Sequence, residues 1–137
     1  NECMMDIKRK YDSFKIESEI KSFFSDISLR LNKANLITGR SGASSVAELC
    51  IFGRPSILIP LPSAVGNHQA LNAAFMEKSG ASIVLDQNFV TSDELSKNIS
   101  YVLDNFEVAN GMALSAQKLS KPNAALDFAA ELENLIF

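Results

Sequence analysis

Three short, largely apolar runs, each followed by a helical pattern, constrain this chain more than any other feature. They cover residues 35–38, 56–59 and 82–85. A strand without polar alternation is buried on both faces, a state found mainly in parallel sheets covered by helices. Between the runs the apolar residues change to helical spacing. After the first run, Val46, Leu49, Cys50 and Gly53 share one helical face and Ser44, Ser45 and Glu48 another, until Gly53 and Pro55 stop the helix. After the second, Asn67 is placed to cap a helix over 68–78 that Ser79-Gly80 ends. After the third, Thr91 and Glu94 form a capping box for a helix carrying Leu95, Ile99, Val102 and Leu103.

The flanks complete the expectation. A helix over 26–33 follows Ser25 as a candidate cap, and its apolar face of Ile27, Leu29 and Leu31 is imperfect. A further helix covers 108–119. Pro122 opens the last helix, over 122–137, where Ala125, Phe128, Ala129, Leu132, Leu135 and Ile136 form a stripe. Residues 1–12 are charged and poorly patterned, a poorly defined start, and 15–17 suit a short extended piece. The whole of 1–137 reads as a single α/β domain with an open parallel sheet. Three or four strands make that sheet thin, and its first strand looks as though it has lost neighbours.

Composition removes several functional classes. A length of 137 residues is one domain's worth and excludes a two-domain enzyme unless the chain is a piece of one. With 47% apolar and 21% charged residues, the chain suits a globular core rather than disorder. A net charge of −3 advertises no nucleic-acid surface. No window approaches the ~20 apolar residues of a membrane span, and charges interrupt the first residues where a signal peptide would be apolar. Cys3 and Cys50 give neither a disulfide framework nor metal spacing and read as free thiols of a reducing cytoplasm. A lone histidine, His68, leaves little scope for a metal site, so no metal and no cofactor is expected.

In open parallel sheets, ligands bind beyond the carboxyl ends of the strands. Residues 39–43 and 61–67 are loops at such ends, and both run into helix N-termini. Free backbone N–H groups and a partial positive charge there suit a phosphate or a sugar hydroxyl. Gly42 and Ala43 let a ligand approach the backbone closely, although small residues are also ordinary in tight turns. Glu48 follows on the face of Ser44 and Ser45. Its spacing fits either a solvated surface carboxylate or one that holds both hydroxyls of a ribose. His68, Gln69 and Asn72 share the opening turns of the next helix and can present donors and acceptors to a sugar; a cap or packing role for His68 stays open. Phe23 and Phe24 are core aromatics, unless the Phe24 backbone pairs with a base edge. There is no Ser-His-Asp arrangement, Walker loop or Gly-x-Gly-x-x-Gly. Asp86, Asp93 and Glu94 read as loop and capping residues.

Taken together, several segments resemble the MurG family, the peptidoglycan N-acetylglucosaminyltransferases acting on lipid I. They are Ser41-Gly42-Ala43-Ser44-Ser45-Val46-Ala47-Glu48-Leu49, Phe52-Gly53-Arg54-Pro55, Ile59-Pro60-Leu61-Pro62 and Asn67-His68-Gln69-Ala70-Leu71-Asn72-Ala73. Glu77-Lys78-Ser79-Gly80-Ala81 and Glu19-Ile20-Lys21-Ser22-Phe23-Phe24-Ser25-Asp26 extend the match to about residues 12–136. The resemblance implies the C-terminal half of a GT-B glycosyltransferase, a Rossmann-like domain truncated at its N-terminal side. The family's Gly-Gly-Ser phosphate loop is absent, and Ser44-Ser45 stands where many relatives have Leu-Thr.

By resemblance the donor is UDP-N-acetylglucosamine. The Phe24 backbone falls where the family recognises uracil. Gly42, Ala43, Ser44, Ser45 and Val46 form the helix start at the phosphates and sugar. Glu48 takes the ribose diol, and Gln69, with His68 and Asn72 beside it, the N-acetylglucosamine. The family transfers the sugar with inversion, and its proposed base lies in the N-terminal acceptor domain, so no catalytic residue is expected here. The implied partners are that domain, in cis or in trans, and through it lipid I. The implied place is cytoplasmic, with full-length members at the cytoplasmic face of the inner membrane. The chain alone is expected to be inactive. Other readings are the donor subunit of a two-chain transferase, or a non-catalytic fragment acting as an interaction module.

Overall fold

The computed structural model describes residues 2–136; Asn1, Phe137 and the side chain of Ile136 lie outside the described residues. The elements are α1 (Glu2–Ser13), α2 (Ile27–Lys33), β1 (Ile37–Gly39), α3 (Ala43–Phe52), β2 (Ser56–Leu58), α4 (His68–Lys78), β3 (Ser82–Val84), α5 (Ser92–Leu103), α6 (Phe106–Leu119) and α7 (Ala124–Ile136). A 3₁₀ turn, Val65–Asn67, leads into α4. Where the sequence suggests one domain over 1–137, the fold separates into two compact units, residues 1–30 and 31–137.

In the first unit, where the sequence suggests a poorly defined start over 1–12, Glu2–Ser13 form the helix α1. Cys3, Ile7 and Tyr11 share one face of it at helical spacing, although none of its residues is buried. Ion pairs one turn apart support it, Lys8 to Asp12 at 3.0 Å and Arg9 to Asp6 at 3.0 Å. Nor is 15–17 an extended piece, because Lys15 adopts φ 56°. The Lys15 N–H donates to Asp12 O at 2.9 Å and the Ile16 N–H to Tyr11 O at 3.0 Å, the Schellman pattern that closes a helix end.

The second unit is built on a parallel sheet in the order β1-β2-β3. Ile37 stands beside Ser56 and Ser56 beside Ser82 in its two registers. The central strand β2 is buried throughout, with Ile57 and Leu58 at 0% exposure. Its one polar side chain, Ser56, is satisfied by the Ser82 hydroxyl across the pair. Leu49, Cys50, Ala73, Met76, Ala81 and Ala116 pack with Leu58 to form the core. Cys50 is a free thiol whose titration burial pushes up, so it behaves as a small apolar side chain; Cys3 is free and exposed. Arg54 closes the entry to β1, donating to Asn32 O at 2.7 Å and Ala34 O at 3.2 Å.

Much of the helix punctuation follows the sequence, but α2 begins at Ile27 rather than 26, and α7 begins at Ala124 rather than at Pro122. Gly53 (φ 55°) and Gly80 (φ 72°) end α3 and α4 in left-handed conformation, and Thr91 accepts from the Glu94 N–H at 3.1 Å. Asn67, by contrast, makes no side-chain cap; at φ 55° it belongs to the 3₁₀ turn. The sixth helix starts two residues before the expected 108, at Phe106. The stripe on α7 exists as a sequence pattern, but every described side chain of that helix is exposed.

Gly53 yields a stability test. Besides its positive φ, a Cβ there would run into the Gln117 side chain. Gly53→Ala is expected to lower unfolding stability by about 1–3 kcal/mol in urea titration. Adding Gln117→Ala is expected to recover the steric part alone. An unchanged midpoint in Gly53→Ala contradicts the assignment.

Candidate functional site

The carboxyl ends of β1 and β2 deliver two loops to one edge of the sheet. At the first, Gly42 precedes α3 with extended backbone (φ −62°, ψ 152°) and offers no side-chain cap to the opening turn. The first N–H groups of this ten-residue helix are therefore left for water or a ligand. Ala43 and Ser44 are exposed, Ser45 is half-buried, and Val46 packs against the core. Glu48 is half-buried one turn further on. The ion pairs among the described residues all involve positions 6–30, so its carboxylate is not neutralised by a basic neighbour.

The second loop leads into α4. His68 is exposed, and its Nδ1 lies 2.5 Å from Val65 O. A carbonyl only accepts, so Nδ1 is the donor in this contact. Gln69 Oε1 accepts from the Leu61 N–H at 3.0 Å, and Asn72 Nδ2 donates to Ser41 O at 3.0 Å. The Ser41 hydroxyl donates to Gln69 O at 2.7 Å. Gly42, Ala43, Ser44, Ser45 and Val46 are thus tied through Ser41 to the α4 start that holds His68, Gln69 and Asn72. Beside them, a cleft of about 400 Å³ runs between α4 and the chain after β3, lined by Leu61, Asn67, Glu77 and Asp86 among others. Asp86 does serve as a turn residue, accepting the Asn88 N–H at 2.8 Å.

Phe24 belongs to the first unit and is described with it. Its ring lies under the Arg30 guanidinium at 4.1 Å and within 5.6 Å of the Lys21 ammonium. Arg30 in turn pairs with Glu19 at 2.6 Å and Asp26 at 2.9 Å. Hydrogen bonding to Arg30, then to Lys21, holds the Glu19 carboxyl below its ordinary range; Arg30 does the same for Asp26. The same contacts push the Arg30 guanidinium upward.

Sequence reasoning passed over Arg40, Ser41 and this Arg30 cluster. The signal for the first two is their place directly after Gly39, where a strand ends and polar side chains can turn back to neighbouring carbonyls. For the Arg30 cluster the signal is opposite charges within reach at 19, 21, 26 and 30, of which only 26 and 30 share a helical spacing.

Two helix starts converge on the carboxyl edge of the parallel sheet, the edge at which open α/β sheets generally place their ligands. Residues 3–128 match the model described as glycosyltransferase family 28 C-terminal domain, and the chain belongs to that family. It is 38% identical over 119 residues to the UDP-N-acetylglucosamine–N-acetylmuramyl-(pentapeptide) pyrophosphoryl-undecaprenol N-acetylglucosamine transferase of Paramagnetospirillum magneticum, covering 87% of this chain and 32% of that protein. It is 37% identical over 132 residues to the Caulobacter vibrioides protein of the same name, covering 96% and 37%. The chain therefore spans about a third of the length of these relatives. Among solved structures, Acinetobacter baumannii MurG superposes with a TM-score of 0.78 at 29% identity, over 85% of this chain and 33% of that one. The spinosyn forosaminyltransferase SpnP shares the fold, with a TM-score of 0.66 at 18% identity. The expected family and the C-terminal half of the GT-B architecture are thereby borne out.

The Arg30 cluster predicts a pH response. Carboxyls held low stabilise their contacts above their ordinary values, 4.5 for Glu19 and 3.8 for Asp26, and release them as pH falls through the lowered values. The Arg30 Nε–H resonance is expected to stay constant down to those ordinary values and to move only below them. Movement centred at or above 4.5 contradicts the pairing.

Proposed function

We propose that this chain binds UDP-N-acetylglucosamine and is the donor half of an inverting N-acetylglucosaminyltransferase that makes lipid II from lipid I. The carrying observation is the uncapped α3 start beside Glu48, a carboxylate with no ion-pair partner among the described residues. The names of the relatives supply the sugar nucleotide and the acceptor class. In this reading the first N–H groups of α3, over Gly42, Ala43, Ser44, Ser45 and Val46, receive the diphosphate. Glu48 accepts from both ribose hydroxyls. His68, Gln69 and Asn72 meet the sugar.

The reaction removes the proton of the acceptor C4 hydroxyl to a base. The freed oxygen attacks the anomeric carbon, the bond from that carbon to the UDP oxygen breaks, and UDP leaves with the bonding pair. Charge grows on the diphosphate as that bond breaks, and fixed helix N–H groups stabilise it without reorganisation. The base and the lipid acceptor site belong to the N-terminal acceptor domain, in cis or in trans. No catalytic residue is assigned to this chain, which is inactive alone. No described helix is long and apolar enough to cross a membrane. Work on a lipid substrate would then take place at the cytoplasmic face, through the acceptor domain.

A second reading, the donor subunit of a two-chain transferase, draws on α7. Phe128 is 66% and Leu135 81% exposed, an apolar stripe suited to a separate acceptor chain.

Calorimetric titration with UDP-N-acetylglucosamine tests the donor reading. Glu48→Ala is expected to weaken binding about 10-fold or more, from the loss of charge-assisted hydrogen bonds. Equal affinity in the variant removes the ribose role. Sugar transfer is expected to be absent with the chain alone and to require an acceptor domain; multiple turnover by the chain alone refutes the half-enzyme reading.

A further inference from the structure

Two of the residues that hold the two loops together, Arg40 and Ser41, are not assigned to the ligand, and they bond to Gln69, Asn72 and the loop between. Ser41 is fully buried at 0% exposure, and its hydroxyl donates to Gln69 O at 2.7 Å. Its own carbonyl accepts from Asn72 Nδ2 at 3.0 Å. Residue 41 and the opening of α4 are therefore bonded in both directions. Next to it, Arg40 Nη1 donates to Ile59 O at 2.8 Å and to Pro60 O at 3.3 Å. The loop after β2 is thus held where it begins, at 59 and 60, and where it ends, at 69. Gln69 Oε1 adds an internal tie to the Leu61 N–H at 3.0 Å.

These bonds also decide which atoms of the two amides remain available. Gln69 spends one lone pair of Oε1 on the Leu61 N–H, which sets the orientation of its amide and directs the Nε2 hydrogens away from that bond. Asn72 spends one Nδ2 hydrogen on Ser41 O, which sets the orientation of its amide and leaves Oδ1 and the second Nδ2 hydrogen for other partners. A sugar hydroxyl both donates and accepts, and the pair matches two neighbouring hydroxyls only while both amides stay oriented.

We propose that Ser41 and Arg40 are positioning residues for donor-sugar recognition. They fix the amides of α4 against the start of α3 and set the preference for the sugar without touching it. This role rests on the donor-site reading above. It makes a separation that reading alone does not: the nucleotide meets α3 and Glu48, whereas the sugar depends on the tie between the loops.

The test is calorimetric titration of the chain with UDP and, separately, with UDP-N-acetylglucosamine. The variants are Ser41→Ala and the exposed Arg40→Gln, with Arg40→Lys as the conservative change. The wild-type chain is expected to bind the sugar nucleotide more tightly than UDP. In Ser41→Ala and Arg40→Gln, UDP affinity is expected to stay within about twofold while the advantage of the sugar falls about fivefold, the scale of one lost hydrogen bond. Arg40→Lys, which keeps a cationic donor, is expected to restore part of that advantage. An unchanged advantage in both variants overturns the proposal. So does a proportional loss of UDP and UDP-N-acetylglucosamine, which would make Arg40 a phosphate contact or the effect a general loosening. A wild-type chain that shows no preference for the sugar overturns it as well. A wild-type chain that binds neither ligand overturns the donor-site reading and this role with it. Should Ser41→Ala fail to fold, Arg40→Gln alone decides the outcome.

Discussion

The placement of the ligand-facing residues in the second unit depends on the burial of β2. This strand is paired on both sides and has no exposed residue. Its pairing continues just past the strand ends, with the Ile59 N–H donating to Gly39 O at 2.9 Å and the Leu85 N–H to Leu58 O at 2.9 Å. The three strands therefore stop at one level. Parallel strands need a crossover between them, and here each crossover is a helix starting from that level. The start of α3 and the start of α4 come together because the sheet is parallel.

What occupies that edge is decided by residues with little bulk. Thr91 spends its hydroxyl on the first turn of α5, whereas Gly42 gives α3 nothing. An anion or a hydroxyl can then satisfy the α3 start. The tie from Ser41 and Asn72 supplies the complementary rigidity: in a strand-end loop with two consecutive left-handed residues, Gly66 at φ 63° and Asn67 at φ 55°, side-chain bonds to backbone carbonyls hold the shape. In the donor-site proposal, recognition is thus divided between a helix end, which suits a diphosphate, and oriented amides, which suit a sugar.

Much of this was legible in the residues. The three strands, the helices between them and the glycine stops at Gly53 and Gly80 follow from period and turn chemistry, which act locally. Of the segments that carry the family likeness, 41–49, 59–62 and 67–73 meet at the carboxyl edge of the sheet. Other features were not legible for physical reasons. The helix α1 does carry an apolar period, Cys3, Ile7 and Tyr11, but it is short and set among charges whose ion pairs read as mere charge. Asn67 looks like a cap, yet the glycine before it lets the chain enter a 3₁₀ turn instead. Ser41 looks like a small loop residue, and its role depends on Gln69, 28 positions away, which no local pattern encodes. The α7 stripe was visible as a period, but a period does not say what covers it.

The central claim is that the α3 start and the α4 amides form one donor site. The most direct measurement is a nuclear magnetic resonance titration of the chain with UDP-N-acetylglucosamine, following backbone amides and the side-chain amides of Gln69 and Asn72. The account predicts saturable shifts of Ala43, Ser44 and Ser45 together with the Gln69 side chain, at one shared affinity. Saturable shifts confined to other surfaces, or shifts of the two groups with unrelated affinities, would contradict it.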